Sequence, residues 1–130
     1  MAREYPIVLK LRSAVKAVGG ACENFRNPGV RGDPDQLLSF PWGYHCLVEC
    51  KWGFGVRPRP HQMRRHKYWR DHGMDVWVAN DDGSIRAVVA IALRSKAVSD
   101  DRGEVADRSS ARNATVQPRH RKNRDGADGA

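Results

Sequence analysis

The sequence predicts an α/β or α+β layer fold around a small mixed sheet, with elements in the order α-β-β-β-α-β-α. Three observations predict it. Apolar residues recur at helical spacing near the N-terminus, and two short apolar runs bracket Pro41-Trp42-Gly43. A basic stretch closed by Gly73 then leads into Asp75-Val76-Trp77-Val78-Ala79. A hairpin followed by a helix and a further strand is the pattern of a mixed sheet.

Taken in order, Glu4, Val8, Leu11, Val15 and Val18 share one helix face. Pro6 fits only the first turn of that helix, and Gly19-Gly20 ends it. Ala21–Arg26 reads as a short strand. Asn27-Pro28-Gly29 and Arg31-Gly32-Asp33-Pro34 are loop chemistry. Gln36–Phe40 and Tyr44–Lys51 read as a hairpin, and Trp52–Arg57 as a glycine-containing loop. Pro60–His72 reads as a helix and Asp75–Ala79 as a buried strand. Ser84–Leu93 is a last helix, with a strand as the alternative.

The chain has 130 residues and a net charge of +8, one domain's length with a bias toward polyanionic partners. Residues 1–94 hold 15 Lys and Arg against 9 Asp and Glu, so the folded part carries most of the excess. Residues 95–130 contain no aromatic and no Ile, Leu or Met. Such a segment buries too little apolar surface to offset its ordering entropy, which predicts a disordered, slightly basic C-terminal tail. No apolar run approaches the roughly 18 residues that cross a bilayer. Met1–Lys10 does not read as a secretory signal, so a cytoplasmic location is expected. Three cysteines do not make a disulfide framework. Structural zinc is not expected either, because Cys46 and Cys50 stand about 13 Å apart along one strand.

The chemistry sits in two pieces. Asp35 opens the second strand, and Glu49-Cys50-Lys51 closes the third. Side chains alternate along a strand, so Glu49 and Lys51 share one face while Cys46, Val48 and Cys50 share the other. The hairpin brings Asp35 back beside Glu49 and Lys51. Two adjacent carboxylates repel, which suits a hard divalent cation such as Mg²⁺. The backbone carbonyl of Cys50 adds a further oxygen. A lysine beside that cluster can position water or stabilise charge on a phosphate, as phosphodiester hydrolysis requires. Spacing alone does not separate this reading from a turn aspartate and a solvated strand pair.

Gly32-Asp33-Pro34-Asp35, then Val48-Glu49-Cys50-Lys51, then Gln62 on the following helix resemble the PD-(D/E)XK nucleases. More narrowly, the chain resembles the stand-alone phage and bacterial VRR-NUC domains over roughly residues 3–92. The resemblance implies a restriction-endonuclease-like three-layer fold for residues 1–94. It implies Asp35 and Glu49 as metal ligands, Lys51 as the catalytic lysine, and Gln62 orienting the lysine or contacting the phosphate backbone. Glu4 matches the acidic residue of the first helix that supports the metal site, with Glu23 as the alternative. The implied activity is a Mg²⁺-dependent endodeoxyribonuclease, with Mn²⁺ as a substitute ion and no small-molecule cofactor. The implied setting is a bacterial or phage-infected cell, and the implied assembly a homodimer cutting branched DNA such as a Holliday junction. Other readings are a nuclease on flap, nicked or duplex DNA, and a catalytically inactive DNA-binding module.

Arg57, Arg59, Arg64, Arg65, Lys67 and Arg70 fall in one stretch without an acidic residue. Beside the acidic cluster they form a candidate track for DNA phosphates. Trp52, Phe54, Tyr68 and Trp69 interleave with them as stacking candidates, though core or dimer contacts are the commoner use of such residues.

Overall fold

The computed structural model describes residues 5–52 and 57–113. Helix α1 (Tyr5–Ala17) leads into β1 (Ala21–Asn24), β2 (Gln36–Ser39) and β3 (His45–Cys50). Helix α2 (Pro60–Asp71), β4 (Asp75–Ala79) and α3 (Asp82–Asn113) follow. The sheet order is β1-β2-β3-β4. The first two pairings are antiparallel and β3 with β4 is parallel. A parallel pair needs a crossover, and α2 supplies it. The expected mixed sheet and element order are both present.

The alternation along β3 divides the molecule. Cys46, Val48 and Cys50 point into the main core with Leu38, Phe40 and Ala79. Ile7, Val8, Leu11 and Val15 of α1 and Ile85, Val88 and Ala92 of α3 close over them. Leu47 and Glu49 point the other way, toward α2, and both are buried. The result is α1 and α3 on one face, the sheet in the middle and α2 on the other. That burial on both faces explains why β3 reads as a nearly continuous buried strand.

The hairpin tip is anchored rather than loose. The Trp42 indole N–H donates to the carbonyl of Ala92 at 3.0 Å, and the Ser99 hydroxyl donates to the Trp42 carbonyl at 3.2 Å. The Lys96 ammonium stands 5.5 Å from the Trp42 ring centre.

Helix α3 starts on a reciprocal cap. Oδ1 of Asp81 accepts the Ser84 N–H, and the Ser84 hydroxyl accepts the N–H groups of Asn80 and Asp81. The helix runs on to Asn113, which corrects two expectations. It does not stop at Leu93, and residues 95–113, expected in a disordered tail, are helical. Composition tests whether a segment can fold alone. It does not test whether a segment can prolong a helix already nucleated and docked, which costs far less per residue. Residues 114–130 lie outside the described residues. No helix among the described residues is long and apolar enough to cross a membrane.

Candidate active site

The site is built where β2 begins and β3 ends. Gln36 pairs with Val48 in the antiparallel register, so one step further Asp35 and Glu49 come to adjacent places. The backbone N–H of Cys50 donates to Oδ1 of Asp35 at 2.9 Å, which ties the aspartate to the end of β3. Glu49 and Lys51 project from the same face of β3, and their side chains meet at 3.1 Å (Nζ to Oε1). Those side chains are only 5% and 11% exposed. They are a buried ion pair, not a solvated strand pair.

Helix α2 roofs this pair. Gln62 sits in its first turn, where its Oε1 accepts the Arg59 backbone N–H at 2.8 Å. That bond turns the amide nitrogen inward, and Nε2 donates to Oε1 of Glu49 at 3.2 Å. One oxygen of Glu49 thus receives both Lys51 and Gln62. One helical turn on, His66 is 2% exposed, with Nε2 4.0 Å from Oε2 of Glu49. Burial lowers the His66 pKa, and the positive charges of Arg70 and Lys51 lower it further. Burial and these neighbouring cations therefore favour the neutral ring of His66.

The loop before Asp35 is held from below by α2. Gly32 adopts φ +94°, and a Cβ there would stand 2.8 Å from the His61 carbonyl, so only glycine fits this approach. The Asp33 side chain, 6% exposed, accepts from Arg65 Nε at 2.6 Å, Trp69 Nε1 at 2.9 Å and Asn27 Nδ2 at 3.0 Å. Burial alone would raise the Asp33 pKa. The three donors outweigh burial and hold it below the usual carboxylate value. Pro34 is fully buried. Asp35 thus follows a segment clamped to α2.

The cations divide. Arg57, Arg59 and Arg64 are exposed. Arg65 is bound to Asp33 and lies 4.1 Å from the Tyr68 ring centre. Lys67 pairs with Asp71 at 2.6 Å, and Nη2 of Arg70 donates to the Val76 carbonyl at 2.8 Å. Three of the six expected phosphate contacts are therefore engaged within the fold. A cleft of about 590 Å³, lined by Arg57, Arg64, Lys67 and Arg70 together with Met63, His66 and Val78, opens beside α2. Trp69 is structural, holding Asp33 and packing edge-on against Phe25, while Trp52 and Tyr68 are exposed. Glu4, Phe54 and the rest of residues 53–56 lie outside the described residues, and Glu23 is exposed on the edge strand β1.

Two similarities bear on this arrangement. "Putative nuclease p44" of Acyrthosiphon pisum secondary endosymbiont phage 1 is 44% identical over 64 residues, which span 49% of this chain and 68% of that protein. A solved structure described as a VRR_NUC domain superposes with a TM-score of 0.62 at 26% identity, covering 68% of this chain and 95% of the other. The chain belongs to the VRR-NUC nuclease family. No family model matches it.

In this VRR-NUC nuclease Gln62 reaches the Glu49 oxygen that also receives Lys51. The reason is the Arg59 N–H, which takes the amide oxygen and leaves the nitrogen facing the buried carboxylate. Sequence reasoning missed Asp33 and His66. Asp33 carries no signal, because its partners lie 6, 32 and 36 residues away. His66 carries one, the four-residue step from Gln62, which places both on one face of α2. Among the described residues no three His, Cys, Asp or Glu side chains gather closely enough to hold a metal ion. The Cys50 thiol is turned into the core, so the site offers hard oxygen donors from two carboxylates and the backbone.

Proposed function

We propose that this VRR-NUC nuclease is a Mg²⁺-dependent endodeoxyribonuclease that hydrolyses phosphodiester bonds at the Asp35–Glu49–Lys51 site. The carrying observation is the convergence of Asp35, pinned to the Cys50 N–H, with the buried Glu49–Lys51 pair beneath Gln62. Mg²⁺ takes one or two carboxylates and completes its shell with waters and phosphate oxygens. Asp35, Glu49 and the Cys50 carbonyl would hold it, and the family resemblance assigns Glu4 a supporting role. When bound, the ion supplies Lewis acidity to water and to a phosphate oxygen. Lys51 offsets charge that develops on the scissile phosphate. Gln62 donates to Oε1 of Glu49, the oxygen that also meets Lys51.

The exposed arginines Arg57, Arg59 and Arg64 support DNA as the substrate, with affinity carried by phosphates. By family analogy the substrate is branched DNA of the Holliday-junction type, cut by a homodimer in the cytoplasm of a bacterial or phage-infected cell.

The test incubates the protein with four-way junctions, flaps and linear duplex, with and without Mg²⁺ or Mn²⁺, beside Lys51→Ala. Metal-dependent cutting by the wild type alone is expected, with paired symmetric nicks on the junction. Binding without cutting, or equal cutting by Lys51→Ala, would return the protein to a DNA-binding module.

A further inference from the structure

His66 occupies a place that packing alone does not require. It is the buried polar residue of α2, 2% exposed, one turn after Gln62. Its Nε2 makes no hydrogen bond among the described residues. It points at Oε2 of Glu49 across 4.0 Å, about 1 Å beyond a hydrogen bond. A buried ring nitrogen left without a bond costs free energy, and a histidine at a packing position could be replaced by an apolar residue. The last torsion of a glutamate side chain is broad and soft. Lys51 and Gln62 hold the other oxygen, Oε1, at 3.1 and 3.2 Å, so a turn of the carboxylate is what would bring Oε2 within reach of Nε2. The groups around the ring are Glu49, Lys51, Arg70 and Asp33. Of the two carboxylates, it is Glu49 that Nε2 faces.

We propose that His66 is a positioning residue, which orients the Glu49 carboxylate for the divalent cation by holding Oε2 through Nε2. The assignment rests on the metal-site reading above. Groups that orient a ligand from outside its shell typically change metal affinity ten- to a hundred-fold.

The test measures Mn²⁺ binding calorimetrically without DNA, alongside thermal melting, for His66→Phe, His66→Gln and His66→Asn. A glutamine amide nitrogen stands near the place of Nε2, whereas an asparagine nitrogen stands near Nδ1. His66→Gln is expected to bind Mn²⁺ within about threefold of wild type, while His66→Phe and His66→Asn weaken it about tenfold. Equal Mn²⁺ affinity in all three variants overturns the assignment, as does a His66→Gln that no longer folds, because the role is then packing. If His66→Phe alone fails to fold, the glutamine and asparagine pair decides. Asp35→Asn and Glu49→Gln serve as controls. Undiminished Mn²⁺ binding in both means that the metal site itself is misplaced, and the His66 role falls with it. Loss of binding in the controls with no effect at His66 refutes the His66 role alone.

Discussion

Oδ1 of Asp35 accepts the backbone N–H of Cys50 at 2.9 Å. The carboxylate is thereby fixed by the strand next to its own, one residue from Glu49 and one from Lys51. Shape and charge at this position are separable. Asp35→Asn keeps an oxygen that can accept the Cys50 N–H but removes the charge. Asp35→Ala removes both. Both are expected to cut DNA at least ~100-fold more slowly. Asp35→Ala should also be about 1 kcal/mol less stable than Asp35→Asn, the cost of losing one hydrogen bond. Cleavage time courses and melting curves on the same preparations check the pair. Retained cleavage in Asp35→Asn would show that the charge is dispensable.

Lys51 poses a different question, because its ammonium is held against Glu49 in a nearly closed site. Lys51→Met keeps the length of the stem and deletes the charge. Cleavage is expected to fall ~10²–10³-fold, as for removal of one preorganised electrostatic donor. DNA affinity should stay within about twofold, since an 11% exposed side chain offers little to the ground-state duplex. Single-turnover rates and filter binding in Ca²⁺ separate the two effects. A parallel fall in binding and cleavage would make the lysine a phosphate anchor.

The cysteines give a check on the core that needs no DNA. Burial pushes the Cys46 thiol up to about 12, and burial likewise raises Cys22 against the lowering influence of Arg12. The thiolate is the reactive form, so raising the pKa suppresses alkylation at ordinary pH. All three thiols are buried. At pH 8, iodoacetamide should leave the folded protein unmodified and label all three cysteines once denaturant unfolds it. Mass spectrometry reads the result. Early labelling of Cys46 would mean that β3 opens locally.

The sheet and the position of the acidic cluster were legible because both follow from period-two alternation and one hairpin. Once Gln36–Ser39 pairs with His45–Cys50, Asp35 must return to the end of β3. The burial of Glu49 and Lys51 was not legible. It depends on α2 crossing over the sheet, and nothing in the E-x-K spacing records which face a later helix will cover. The length of α3 was hidden for another reason. Residues beyond Leu93 lack a core of their own, but Trp42 and Ser99 join the hairpin tip to the helix. The cation count misled in a third way, because charge in sequence does not show which arginine another part of the chain has already engaged.

Arg64 and Arg65 turn that last distinction into a measurement. Arg64 is exposed beside the cleft, whereas Arg65 donates to the buried Asp33 carboxylate at 2.6 Å. Arg64→Ala should weaken DNA binding and reduce the slope of log affinity against log salt by about 0.9, one phosphate's worth of counterion release. Its melting temperature should not move. Arg65→Ala should do the reverse, lowering the melting temperature by several degrees with little change in the salt slope. The loop carrying Asp35 should loosen with it, so Arg65→Ala is also expected to cut more slowly at saturating DNA. Binding titrations at four salt concentrations, with melts of the same samples, distinguish the two. An unchanged melting temperature in Arg65→Ala, together with a reduced salt slope, would place Arg65 on the DNA and deprive Asp33 of its clamp role.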